Sequence, residues 1–235
     1  MNNLTNPERR QVHSISETNS FLTKMYGLMG MAVLVSALSA YLTMTTFRNV
    51  VMQMPPAMMW IILLVPLGLS MGISFKANRN PVAGLVMLML LSVIYGFEFA
   101  LLAGFYTGSQ IASAFVAAAA VFISMALFGT FTKKDLTNWN AYLGAALIGF
   151  LVAWIVNMFL NSPTITYIFS FIGVIIFTGL VASDAQQMKR IYTNYGNQVS
   201  TNGLAILGAL QLYLDFVNIF MFLLEIMGIG NDNNN

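Results

Sequence analysis

PVAGLVMLMLLSVIYGFEFALLAGFY, residues 81–106, carries one charged side chain, Glu98, along its whole length. A bilayer core of ~30 Å takes about 20 mostly apolar residues as a helix, so this stretch is long enough to cross. Six others read the same way, and the expected spans are 25–46, 57–75, 82–106, 110–131, 141–160, 165–192 and 203–228. Turn signals punctuate them: Pro55-Pro56, Asn80-Pro81, Tyr106-Thr107-Gly108, Asn161-Ser162-Pro163 and Asn194-Tyr195-Gly196-Asn197. The expected fold class is an all-α integral membrane protein, a seven-transmembrane-helix bundle with the last helix central. A polar N-terminal tail, 1–24, precedes the bundle; its first twenty residues lack the apolar core of a signal peptide. The polar end, 231–235, is expected to be disordered.

Composition excludes whole classes of function. Of 235 residues 58% are hydrophobic and 8% charged, too few charges to solvate a globular surface. A net charge of +2 with no basic run makes no phosphate-tracking stripe, so no nucleic-acid partner is expected. Absent cysteine rules out disulfides and Cys-ligated metals. The one histidine, His13, lies in the tail, which leaves a Ser-His triad or an HExxH zinc site without its parts. Gly68-Leu69-Ser70-Met71-Gly72 matches GxSxG, but no base stands at membrane depth to activate its serine. Neither enzymatic activity nor a cofactor is expected.

Basic residues set the orientation. Arg9, Arg10, Lys24, Lys76, Arg79, Lys133, Lys134, Lys189 and Arg190 fall on the N-terminal side, and only Arg48 on the other. By the positive-inside rule the N-terminus is cytoplasmic and, with seven spans, the C-terminus external. An even number remains open if the last apolar stretch is re-entrant. Gly68–Gly72 and Gly104–Gly108 both read GxxxG, and Ala117 to Ala120 is a small-residue run; these are expected packing faces within the bundle, with a dimer seam as the alternative.

Charges at bilayer depth need a reason, since each costs at least ~2.5–3.5 kcal/mol on insertion scales. Four candidates are Glu98, Asp184, Asp215 and Glu225. Glu225 is expected at a solvated outer end. Glu98 is either a protonated packing residue or part of an ion path. Asp184 lies five residues inward of Lys189, about 7.5 Å at 1.5 Å per residue. Asp215 enters the seventh helix from the same side, so the two carboxylates can share a layer on neighbouring antiparallel helices; the alternative is that Asp184 merely ends near water. Gln211, Asp215, Asn218 and Glu225 fall within one arc of ~80°, a polar stripe that must face the interior or a water-filled path. Two carboxylates a few ångströms apart in low dielectric share a proton and titrate as a unit. Losing that proton creates repulsion, or an oxygen site for transient Ca²⁺ on Asp184 and Asp215.

Three segments carry a resemblance. Gly129-Thr130-Phe131-Thr132-Lys133-Lys134-Asp135-Leu136, Ser183-Asp184-Ala185-Gln186-Gln187-Met188-Lys189 and Leu212-Tyr213-Leu214-Asp215-Phe216-Val217-Asn218-Ile219-Phe220 resemble the hallmark segments of the Bax inhibitor-1 family. Tyr95-Gly96-Phe97-Glu98-Phe99 is similar to the third-helix pattern of bacterial members. The resemblance runs in order over about 20–230 and implies a pH-sensitive passive calcium or cation leak. Asp184 and Asp215 then stand as proton sensor and gate, with Arg79 as the nearest match to a counter-ion arginine and Glu98, Gln211 and Asn218 along the ion path. Ser183 replaces the tyrosine often found before the first aspartate. The implied partners are the lipid bilayer, calcium or other cations, and protons, in the plasma membrane of a prokaryote. Two alternatives stand beside the leak: an adaptor that restrains a membrane protease or a cell-death pathway, docking through 1–20, and a proton-coupled cation exchanger.

Overall fold

Three of the helices open on proline, where the missing N–H removes nothing because a first-turn amide has no intrahelical partner. The computed structural model describes residues 15–47, 49, 53–160, 162–196 and 198–232. Its helices are α1 (Ile15–Thr45), α2 (Pro56–Lys76), α3 (Pro81–Leu102), α4 (Gly108–Phe131), α5 (Thr137–Leu160), α6 (Pro163–Tyr195) and α7 (Thr201–Asp232), with a 3₁₀ turn at Ala103–Phe105. Asn80 Oδ1 accepts from the Ala83 amide at 3.1 Å, capping α3. Thr107 and Gln110 form a reciprocal capping box on α4. The turn signals therefore act as helix starts.

Among the described residues seven helices are long and apolar enough to cross a membrane. The all-α bundle is as expected, and its last helix is central: 61% of the α7 span is buried, against 11% for α5. Helix α7 packs on α1, α2, α3, α4 and α6. Large apolar side chains such as Leu34, Leu64, Val116 and Phe159 point outward, the arrangement a lipid surface requires.

Both ends of the bundle differ from expectation. Helix α1 starts at Ile15, inside the stretch expected as polar tail. Thr18, Phe21, Leu22, Met25 and Met29 are buried at helical spacing, and Phe21 stacks on Tyr192 of α6 with ring centroids 4.3 Å apart. A polar segment with one apolar stripe thus extends the helix along its neighbours. At the other end α7 runs to Asp232, two residues into the stretch expected to be disordered. Arg9, Arg10, His13, Arg48 and 233–235 lie outside the described residues, as does most of the 1–20 segment.

The GxxxG expectation holds at Gly72, where a Cβ would meet the Met87 side chain of α3, and is corrected at the other three glycines. A Cβ at Gly68, Gly104 or Gly108 would meet nothing within 4 Å, and the last two flank the break between α3 and α4. Spacing of four makes a groove only on one continuous helix with a partner laid in it. Other close approaches lie outside these motifs. A Cβ at Gly129 would fall 2.7 Å from Ala182 Cα, one at Gly96 2.6 Å from Ser39 Cβ, and one at Gly203 2.8 Å from Asn78 Cα.

Two of the motif segments bind one another at the basic end. Gln186 Nε2 donates to the Lys134 carbonyl and its Oε1 accepts from the Leu136 amide, both at 2.8 Å. Ser183 Oγ donates to the Leu136 carbonyl at 3.3 Å, so this hydroxyl ties α6 to the α4–α5 turn. Lys189 Nζ donates to Thr130 O at 2.7 Å. Arg190 donates to Asp135 at 2.6 Å and to Thr137, and the bonds that Asp135 accepts from Arg190 and from the Thr137 hydroxyl and amide hold its carboxyl well below the usual range. Gln186→Met should lower thermal stability by about 1–3 kcal/mol, because the buried Leu136 amide loses its acceptor. Thermal unfolding in detergent checks this; Gln187→Met, on an exposed neighbour, should change little.

Candidate functional site

Two glycine contacts fix the register of α6 on α7. A Cβ at Gly208 would lie 3.0 Å from Met188 Cγ, and one at Gly173 would lie 2.6 Å from the Phe222 ring. The helices are antiparallel, and residue numbers that face each other sum to nearly the same value. Asp184 is therefore level with Leu212, within about one helical turn of Asp215. Asp215 is 5% exposed, Asp184 is half-buried, and the two carboxylates act on each other electrostatically. Among the described residues Asp215 Oδ2 has no hydrogen-bond partner. A buried carboxylate oxygen left unpaired is costly unless it is protonated or meets a passing cation.

The rest of the expected stripe turns inward with it. Gln211, Asn218 and Glu225 are half-buried, and Gln211 Oε1 is enclosed without a partner among the described residues. Asn218 Nδ2 donates to Leu214 O at 2.7 Å within its own helix. Rings Tyr95–Tyr213 and Phe99–Phe220, with centroids 5.8 Å and 5.3 Å apart, set α3 beside α7. This places Glu98 level with Asn218, and both line one cavity of about 420 Å³. Glu98 Oε1 is likewise buried with no partner among the described residues.

Glu225 is not the solvated end residue expected. Helix α7 continues two turns beyond it, and its Oε2 accepts from Ser170 Oγ of α6 at 2.5 Å. It lines the Glu98 cavity and a second one of about 280 Å³ with Asn157 and Thr166.

Arg79 is not brought to the aspartates. It is exposed in the 77–80 turn, whose Ala77 and Asn78 pack on Gly203 at the start of α7. Gly203 precedes Asp215 by twelve residues, about 18 Å along the helix. The Asn80 cap and the Gly203 contact pin that turn at the basic end.

One polar cluster carried no sequence signal. Tyr213 OH lies 2.6 Å from Ser36 Oγ, and Ser36 Oγ donates to Ala32 O at 2.9 Å. Ser92 of α3 bonds the same phenol, so three helices meet two residues from Asp215. Isolated serines in apolar runs read as ordinary helix positions until their partner is known. No three His, Cys, Asp or Glu side chains among the described residues converge on a metal position.

A seven-helix membrane bundle with paired carboxylates on its central helices is the class that fold and site define. Residues 18–232 match the family model described as "Inhibitor of apoptosis-promoting Bax1". The chain belongs to the Bax inhibitor-1 family. It is 36% identical over 218 residues to an uncharacterized protein of Lactococcus lactis subsp. lactis, covering 92% of this chain and 93% of that one. It is 37% identical to an uncharacterized membrane protein of Streptococcus pyogenes serotype M1, covering 89% and 93%. A Rickettsia prowazekii protein is 32% identical, covering 90% of each.

Proposed function

We propose that this protein is a passive, proton-modulated cation leak through which calcium passes, with Asp184 and Asp215 as sensor and gate. One observation carries the reading: the most buried helix holds a carboxylate oxygen with no partner among the described residues, within about a turn of a second carboxylate. A shared proton ties α6 to α7, and its loss leaves repulsion or a hard oxygen pair that a calcium ion neutralises in passing. Asn218 and Glu98 continue oxygen donors toward the opposite end, and Gln211 toward the basic end. The basic end faces the cytoplasm in a prokaryotic plasma membrane.

Liposomes containing only this protein and a trapped calcium dye test the leak. Calcium should enter down its gradient at a rate that changes with pH and without a proton gradient. No flux from well-folded protein supports the adaptor that restrains a membrane protease, and dependence on a proton gradient supports the exchanger. Orientation is checked with single cysteines at the exposed positions Lys133 and Ser109, since the native chain has none. In cells an impermeant thiol reagent should label Ser109→Cys and spare Lys133→Cys; the reverse pattern inverts the topology.

A further inference from the structure

The cavity holding Glu98 lies between α3 and α5, with α7 behind it, and its lining combines carboxylates with aromatic rings. Tyr95, Tyr106, Phe150 and Trp154 line it with Glu98 and Glu225, and among the described residues no Lys, Arg or His does. At about 420 Å³ it falls within the range of small-molecule sites.

The carboxylates stand at its two ends. Glu98 is level with Asn218, and Glu225 is seven residues further along α7, about 10 Å away. A single Ca²⁺ wants six to eight oxygens around one point, and two carboxylates so far apart cannot chelate it together. Aromatic faces between them favour an organic cation, which takes cation–π contacts that a strongly hydrated metal ion does not. Glu98 Oε1, enclosed without a partner among the described residues, lacks a donor that an ammonium, with three N–H bonds, supplies. Glu225 already accepts from Ser170 at 2.5 Å, which holds its carboxylate in place.

We propose that this groove binds a linear diammonium or polyamine, one ammonium on Glu98, another on Glu225, and the alkyl chain along Tyr95, Phe150 and Trp154. The site shares Glu98 with the proposed ion path but lies apart from the aspartate pair, and binding there is read without any flux.

Calorimetric titration of the full-length protein in dodecyl maltoside, a neutral amine-free detergent, tests it with spermidine, putrescine and butylamine as probes. Spermidine and putrescine should each bind saturably, and butylamine, with one ammonium, at least tenfold more weakly than either. Glu98→Gln and Glu225→Gln, which keep shape and remove charge, should each weaken spermidine about tenfold. Tryptophan emission, to which Trp154 contributes beside Trp60 and Trp139, should change on titration of the unaltered protein, giving a readout that needs no variant. Short-chain phosphatidylethanolamine, a lipid amine with one ammonium, should not displace spermidine. Absent saturation, equal affinity for butylamine, unchanged binding in both Gln variants, or displacement by the lipid amine would each overturn the proposal.

Discussion

Asp184→Asn and Asp215→Asn should each move the pH midpoint of calcium flux by about one unit or more, and the double variant should shift it far less than their sum. Two carboxylates within about one turn of each other in a buried setting titrate as one unit. Removing either leaves a lone acid whose remaining environment is burial alone. Contacting residues couple by ~0.5–3 kcal/mol, whereas sites without shared partners add. Flux against pH in liposomes, for both single variants and the double one, measures the coupling directly. Additive effects with an unchanged midpoint would show that the two acids titrate separately, and the proposed gate would fall.

Gly129→Ala should be the most damaging single-methyl change in the protein. The new Cβ would fall inside van der Waals contact of the Ala182 backbone, its Cα included at 2.7 Å. Backbone cannot rotate away as a side chain does, so α4 and α6 must part. Overpacking costs roughly 1–3 kcal/mol and sometimes more. Ala182 is two residues from Asp184, so flux should change along with stability. Gly27→Ala is the matched control: nothing lies within 4 Å of its Cβ, and alanine gains about 0.5–1 kcal/mol over glycine inside a helix. Opposite signs in a thermal melt are the expected result; equal effects would mean that the α4–α6 contact yields easily.

The spans and the inward stripe on α7 were legible because lipid imposes simple rules. Apolar length marks a crossing, and a carboxylate at depth must turn inward. Pairwise contacts were not legible. Gly68 and Gly129 look alike in sequence, yet one faces open space and the other a neighbouring backbone. Which glycine is needed depends on the partner helix, and that information is spread over two distant segments. Glu225 was misread for a related reason: its depth depends on where α7 ends, and polar Asn231 and Asp232 continue the helix. The extension of α1 escaped because a stripe of Phe21, Leu22 and Met25 among polar residues falls short of a span. Arg79 looked available to the aspartates only while the depth of its turn was unknown.

The burial of α7 also orders the protein's biogenesis. Of the seven helices the ribosome delivers this one last, after the five that pack on it have entered the bilayer. Until Thr201 onward emerges, the inward faces of α1, α3, α4 and α6 have nothing to close upon. Assembly is therefore a late event in translation. A premature stop in the turn between α6 and α7 would leave six inserted helices around a missing axis, a ready substrate for membrane quality control.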